Sequence, residues 1–211
     1  MGGHTLQLPD ESYRLILGSS SKSRAYILNK YNIPFEVCVT PIDEKALGDR
    51  ASDDPAILVA KIADAKANAL INSGKLPQAP AIVICADQVA VYDGQIREKP
   101  VDAAEARKYL ESYRDGPVLT YGGVVVYNTA TRKRAATVDV AKQYFKYIPD
   151  GIIDELIAVG GVFHCCGGFT IEDKLLMPYL GETEGVDGGA DSIVGLSLTV
   201  VQSLIAQTLT E

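Results

Sequence analysis

The chain reads as an α/β protein on three observations: an apolar strand that runs into a small-residue loop and a helix near the amino terminus, a charge-free strand in mid-chain, and a tight hairpin directly after it. Residues 13–17 form the first strand, and Gly18-Ser19-Ser20-Ser21-Lys22-Ser23-Arg24 leads into a helical pattern with Ile27, Leu28 and Tyr31 on one side. Residues 35–39 read as a second strand, and Asp53-Asp54-Pro55 opens a long helix with Pro at its first position. Leu58, Ile62, Ala65 and Ala69 share the buried stripe of that helix. Lys66 falls about 70° from the middle of the stripe, where a stem packs and an ammonium reaches a cleft. For a single such Lys, snorkelling at the edge of a core is the plainer explanation.

The mid-chain strand spans residues 81–89, and its first six residues are small or apolar, as in a central strand covered on both faces. Asp87 is the first ionisable group, where such a strand emerges. In open α/β sheets ligands bind at strand ends, so a half-desolvated Asp there is a candidate metal ligand or general base. A turn Asp capping the next element is the bland alternative.

Asp93-Gly94 then stands between β-rich arms as the centre of a type I′ hairpin. Counting outward pairs Val91 with Ile96, Val89 with Glu98 and Gln88 with Lys99. Lys99 therefore returns beside Asp87, as a simple ion pair or as an acid and cation awaiting a phosphate. Pro100 ends the pairing.

The strand, loop and helix at the amino terminus form an anion cradle: first-turn N–H groups point at a ligand, and the helix dipole favours negative charge. One Ser suffices as an N-cap. Three serines exceed capping, and Lys22 with Arg24 in a first turn opposes the dipole unless an anion is expected. The loop lacks the spaced glycines and the Gly-Lys-Ser/Thr ending of a Walker sequence.

At 211 residues and 47% hydrophobic, the chain has material for one domain or for two lobes sharing a sheet. A net charge of −7 argues against general nucleic-acid binding, although local cations can still hold a small anion. Four cysteines, with Cys165 and Cys166 adjacent, do not resemble a disulfide framework. They lack zinc spacing too, with only His4 and His164 to assist. No run approaches the roughly 18 apolar residues of a membrane span. There is no apolar signal-peptide core, and the start resembles a myristoylation site but has Leu6 where Ser or Thr is needed. A soluble, cytoplasmic protein is the expectation. Residues 183–191 are the longest loop-like tract.

Leu15 to Arg24, Asp43-Glu44, Lys66-Ala67-Asn68-Ala69, Ala86-Asp87-Gln88-Val89, Lys99-Pro100 and Val194-Gly195-Leu196 together resemble, in order and spacing, the Maf family of nucleoside triphosphate pyrophosphatases. The match covers nearly the whole chain, with residues 1–12 as an N-terminal extension and 13–211 as a single Maf-like domain with two lobes. The resemblance implies a mixed, twisted sheet flanked by helices, two lobes around a cleft, and a fold like that of inosine-triphosphate pyrophosphatase. It implies a divalent metal, Mg²⁺ or Mn²⁺, frequent homodimers, a nucleoside triphosphate substrate, and release of pyrophosphate to leave the monophosphate.

Departures from the family pattern choose a branch. Ser23-Arg24 replaces two consecutive arginines, and Gly195-Leu196-Ser197 replaces Gly-Leu-Pro. Gly167-Gly168-Phe169-Thr170-Ile171-Glu172 stands where many thymidine- and uridine-directed members have Gly-Ala-Tyr-Gly-Ile-Gln. Glu172, Gln88 after Asp87, and His164-Cys165 resemble the branch that hydrolyses 7-methyl-GTP. A carboxylate accepts the N1 and exocyclic amino protons of a guanine edge. By resemblance, Ser19, Ser21 and Arg24 hold phosphates, Lys66 and Lys99 neutralise charge, Glu44 and Asp87 hold the metal, and Asp87 activates water. Gln88 and Glu172 contact substrate, and Cys165 and Cys166 are structural. The other readings are a dTTP/UTP pyrophosphatase, a catalytically weak nucleotide-binding regulator of cell division, and an interaction scaffold.

Overall fold

The computed structural model describes residues 6–210; His4 and all but the last residue of the myristoylation-like start lie outside the described residues. In chain order the elements are β1 (Arg14–Leu17), α1 (Lys22–Lys30), β2 (Glu36–Val37), α2 (Pro55–Ile71), β3 (Ala81–Tyr92) and β4 (Gln95–Arg97). There follow α3 (Ala103–Ser112), β5 (Val118–Asn128), β6 (Arg134–Phe145), α4 (Asp150–Val159), β7 (Leu180–Glu184), α5 (Ala190–Val194) and α6 (Leu198–Gln207). The sheet is seven-stranded and mixed, in the order β2-β1-β3-β5-β6-β7 with β4 also on β3. β1 runs parallel to β2 and β3, whereas β4 is antiparallel to β3, and β7 to β6. Two compact units result, one of residues up to Asp87, Gly122–Asp139 and Gly195 onward, the other of Gln88–Tyr121 and Val140–Val194.

In the first unit, the parallel register sets Leu15 against Ile82, Ile16 against Val83 and Leu17 against Ile84, all buried. Alternation is absent because both faces are covered, and each such side chain contributes about 1.5–3 kcal/mol. Asp54 caps α2 by accepting from Ala56 and Ile57 N–H, with Pro55 in the first turn. The buried face of α2 is Leu58, Val59, Ile62, Ala63, Ala67 and Leu70, with Ala63, Ala67 and Leu70 in one core with Ile16, Val83 and Cys85. That corrects the stripe: Ala65 and Ala69 are only half-buried. At about 100° per residue, Lys66 lies within about 20° of the middle of the true face rather than at its edge. The small alanines misplaced the stripe, since their burial depends on what packs beside them.

Two further expectations change here. β2 is only two residues long and both are exposed, because pairing with β1 stops after Leu17–Val37. Tyr31 is the C-cap residue of α1 and only half-buried, because the helix stops at Lys30 while Ile27 and Leu28 are buried. Ser197, in place of Pro, caps α6 by accepting from Val200 N–H. Such a cap contributes about 1 kcal/mol.

In the second unit the hairpin turn has φ 49° at Asp93 and 71° at Gly94, both positive as type I′ requires. The core gathers Ala106, Leu110, Tyr113, Val118, Ile148, Ile153, Leu156 and Phe169. Arg107 ties α3 to α4 through Asp154. Residues 183–191 are more ordered than expected, comprising the end of β7, a 3₁₀ turn at Val186–Gly188 and the start of α5. Glycines there permit the turn, with Gly185, Gly188 and Gly189 all at positive φ. Among the described residues no helix is long and apolar enough to cross a membrane.

Candidate active site

β3 continues through Asp87 to Tyr92, so Asp87 is inside a strand rather than at its end. What breaks is the pairing with β1 and β4: β1 follows β3 only to Ile84, and β4 begins only at Ala90. Asp87 falls between these ladders and is buried. Its Oδ1 accepts from Lys66 Nζ at 2.8 Å, and the same ammonium lies 3.1 Å from Glu44 Oε2. Side-chain exposures of 16% for Lys66, 12% for Asp87 and 47% for Glu44 describe a cation pinned at the bottom of a site whose outer carboxylate faces water. Glu44 opens a 3₁₀ turn capped by Asp43, whose Oδ1 accepts from Lys45 and Ala46 N–H.

The serine loop belongs to the same unit. Gly18 N–H donates to Ile84 O at 2.7 Å, which brings the loop so near β3 that a Cβ on Gly18 would lie 2.4 Å from Cys85 Sγ. Only glycine fits. Ser21 is the N-cap of α1, accepting from Arg24 N–H at 3.4 Å, and Ser19 Oγ accepts from Ser21 N–H at 3.2 Å. Arg24 is buried: its Nη1 donates to Ser19 Oγ at 3.0 Å and its Nε to Gly195 O at 3.2 Å. The serines thus act as acceptors within the loop, and each hydroxyl proton stays available as a donor. The first turn of α1 holds no acidic residue, so the dipole end is left for a negative ligand. Burial pushes the Cys85 thiol up to about 11, against the opposing charges of Lys66, Arg134 and Arg24. It is a packing group.

The remaining candidates lie in the second unit. The β3–β4 ladder pairs Tyr92 with Gln95, Val91 with Ile96 and Ala90 with Arg97, and stops there. The expected pairs Val89–Glu98 and Gln88–Lys99 are absent because Glu98 turns its carbonyl to Gly167 N–H, at 3.1 Å. Lys99 is exposed. Gln88 Nε2 donates to Ser192 O at 2.8 Å and to Ile193 O at 3.4 Å, so its amide braces α5. Glu172 is half-buried, and its buried Oε1 has no hydrogen-bond partner among the described residues. Burial raises the Cys165 thiol, as do the Glu172 and Asp173 carboxylates, while Lys99 lowers it. Lys99 and Glu172 therefore share the field around Cys165. A raised thiol is a poor nucleophile, which agrees with a packing role.

A hub around Arg97 gives no signal in the local chemistry of the sequence. The buried guanidinium lies 4.3, 4.6 and 5.0 Å from the ring centres of Tyr92, Tyr109 and Tyr113. Its Nη1 donates to Ser112 Oγ at 2.7 Å. The available clue is the spacing of Tyr109 and Tyr113, four apart on one helical face.

Among the described residues no group of three or more His, Cys, Asp or Glu could hold a metal ion. The donor set of Glu44 and Asp87 nevertheless fits a hard divalent ion, which takes one or two carboxylates and completes its shell with phosphate oxygens and water. The cation now between those carboxylates is the ammonium of Lys66.

Residues 14–208 match the family described as Maf-like protein. The chain is 41% identical to the 7-methyl-GTP pyrophosphatase of Dictyostelium discoideum over 92% of its length and 96% of that protein. It is 32% identical to the 7-methyl-GTP pyrophosphatase of Vibrio vulnificus, over 93% and 96%. To the nucleoside triphosphate pyrophosphatase of Streptomyces avermitilis it is 30% identical, over 92% and 90%. Matched from its first strand to the last turn of its final helix, the chain belongs to the family of Maf-like proteins.

Proposed function

We propose that this protein is a nucleoside triphosphate pyrophosphatase that prefers 7-methyl-GTP. The observation that carries the chemistry is the Lys66 ammonium held between the Glu44 and Asp87 carboxylates beside a serine-lined helix start. The names of relatives sharing nearly the whole chain support the reaction. Ser19 and Ser21 hydroxyls and the first N–H groups of α1 bind phosphate oxygens, and Arg24 holds Ser19 in place from behind. Asp87 takes a proton from water, which attacks the α-phosphorus, and the bond to the bridging oxygen of the β-phosphate breaks. Nucleoside monophosphate and pyrophosphate leave. Lys66 neutralises charge that gathers on the departing pyrophosphate. Glu44 and Asp87 would hold Mg²⁺ or Mn²⁺, which when bound supplies Lewis-acid polarisation of phosphate oxygens.

In the second unit Glu172 reads the base. A buried carboxylate oxygen without a donor is costly. The N1 and exocyclic amino protons of guanine relieve that cost, and a uracil edge offers fewer donors to do so. The test is pyrophosphate release from a panel of 7-methyl-GTP, GTP, UTP and TTP with Mg²⁺. The expected result is monophosphate and pyrophosphate, fastest from 7-methyl-GTP. Orthophosphate as the first product overturns the reaction, and fastest turnover of UTP or TTP overturns the base assignment. Binding without turnover would instead favour the regulator reading, which the internal bonding of Arg24 supports.

A further inference from the structure

Gly167 is held from both sides. Its N–H donates to Glu98 O at 3.1 Å, and its carbonyl accepts from the Tyr113 hydroxyl at 2.7 Å. Its φ is +70°, and a Cβ there would lie 2.8 Å from Ala90 Cβ and 2.9 Å from the Tyr113 hydroxyl. That conformation strains any side chain, and that space has no room for one. Next to it, Gly168 sits against Pro100 and donates its N–H to Cys165 O at 3.0 Å. Residues 98–100 and 165–168 are thus one interlocked piece. One segment of it carries Lys99, and the other runs on within four residues to Glu172.

Tyr113 is the fixed end of this arrangement. The residue is fully buried at the end of α3. Its ring packs on Tyr92 and Phe169 edge-on and on Phe145 face-on, with centroids 5.5, 5.6 and 5.5 Å away. The Arg97 guanidinium lies over it as well. A rigid aromatic with a single donor, aimed at one carbonyl, sets the position of that carbonyl more narrowly than a flexible side chain would. Burial of the phenol keeps it protonated far above neutral pH, so the donor is permanent.

We propose that Tyr113 is a positioning residue for base selection: through Gly167 it fixes the loop that presents Glu172 relative to the segment after β4 that carries Lys99. The inference rests on Glu172 as the base reader, and it goes beyond that reading by naming what sets the geometry of the reader. Tyr113 touches no substrate. Removing its hydroxyl loosens the loop without changing the charge of any group in the site, so the cost falls on discrimination between bases rather than on hydrolysis.

Tyr113→Phe keeps the ring packing and deletes the bond to Gly167. Full-length wild type, Tyr113→Phe and Ser112→Ala are compared by steady-state kinetics on 7-methyl-GTP and UTP, and by amide hydrogen exchange. Ser112→Ala removes a hub bond of equal length, 2.7 Å to Arg97, without touching Gly167. In Tyr113→Phe, exchange across residues 165–172 should quicken and the ratio of kcat/KM for 7-methyl-GTP over UTP should fall about tenfold, the scale of one buried hydrogen bond. KM for 7-methyl-GTP should carry the change, with kcat for either nucleotide within about twofold. Ser112→Ala should lower thermal stability and leave the ratio in place. Unchanged exchange across 165–172, equal losses on both nucleotides, or the same fall in Ser112→Ala each overturn the proposal. If wild type itself shows no guanine preference, Glu172 as base reader is what fails, and exchange across 165–172 alone decides whether Tyr113 fixes the loop.

Discussion

Lys66 in the first unit and Arg97 in the second are both cations held largely out of water, but their partners differ in kind. Lys66 lies between two carboxylates, at 2.8 and 3.1 Å. Arg97 lies on three tyrosine rings and donates to a serine hydroxyl and the carbonyl of Tyr109. An ammonium between carboxylates is held by charge, so another cation or an arriving anion can take over either side of the bargain. A guanidinium on aromatic faces is held by shape and quadrupole, with nothing to exchange. The first arrangement suits chemistry in which charge must be redistributed during a reaction, and the second suits a scaffold. The lesson is that a buried cation is to be judged by its partners, not by its depth.

The sharpest break in that comparison is at Asp87. Asp87→Asn keeps the side-chain shape and the neighbours, and should bind nucleotide while losing turnover by roughly 10²-fold or more, the scale for a general base. Unchanged turnover would make Asp87 a partner for Lys66 and nothing else.

Lys66→Met comes next. It leaves the Glu44 and Asp87 carboxylates facing one another without a cation, and it should lower kcat and raise KM together, each by roughly tenfold, since the charge faces ground state and transition state alike. Arg97→Met, by contrast, should lower the denaturation midpoint and leave the kcat for pyrophosphate release close to wild type. Equal kinetic losses in both variants would erase the distinction between the two cations.

Glu172→Gln tests the second unit at its one buried carboxylate oxygen without a partner. The preference for 7-methyl-GTP over UTP should relax by roughly 1–3 kcal/mol, as expected for a buried acceptor whose partner is altered. An unchanged ranking of the nucleotides would remove Glu172 from base reading.

The last test concerns Cys85. Burial raises its thiol from 9.0 to about 11. The folded state therefore binds the proton more tightly than the unfolded state, so the stability from this group is complete below pH 9 and is lost as pH rises towards 11. A fall on the order of 2–3 kcal/mol should appear in denaturation midpoints over that window. Cys85→Ala should flatten that part of the curve, and an identical curve for both proteins would mean that the thiol is not the group titrating.

Much of the first unit was legible because its signals are local. Asp54-Pro55 starts a helix by a cap and a fixed φ, and Ser21 caps α1 by a hydroxyl three residues before its donor, so neither needs tertiary information. The same holds for the Asp93-Gly94 turn. What escaped were features set by distant backbone. The stripe of α2 lies away from its expected place because Ala65 and Ala69 carry no strong burial preference, and Lys66 moves with it from the rim towards the middle of the face. Extending the hairpin ladder pairs Lys99 with Gln88, but the Glu98 carbonyl leaves that ladder for Gly167, a residue 69 positions away in the chain. The Gln88 amide nitrogen meets carbonyls at the end of α5, a contact that no spacing rule could have placed there.

The Lys66 ammonium also bears on how the chain reaches its folded form. Two carboxylates facing one site, one of them buried in the middle of a strand, would repel each other in a nascent protein that had to wait for an ion. Here the neutralising cation is part of α2 and arrives with it, 21 residues before Asp87 in the chain. The first unit can therefore close at any free-metal concentration, and chelation should silence the enzyme without unfolding it.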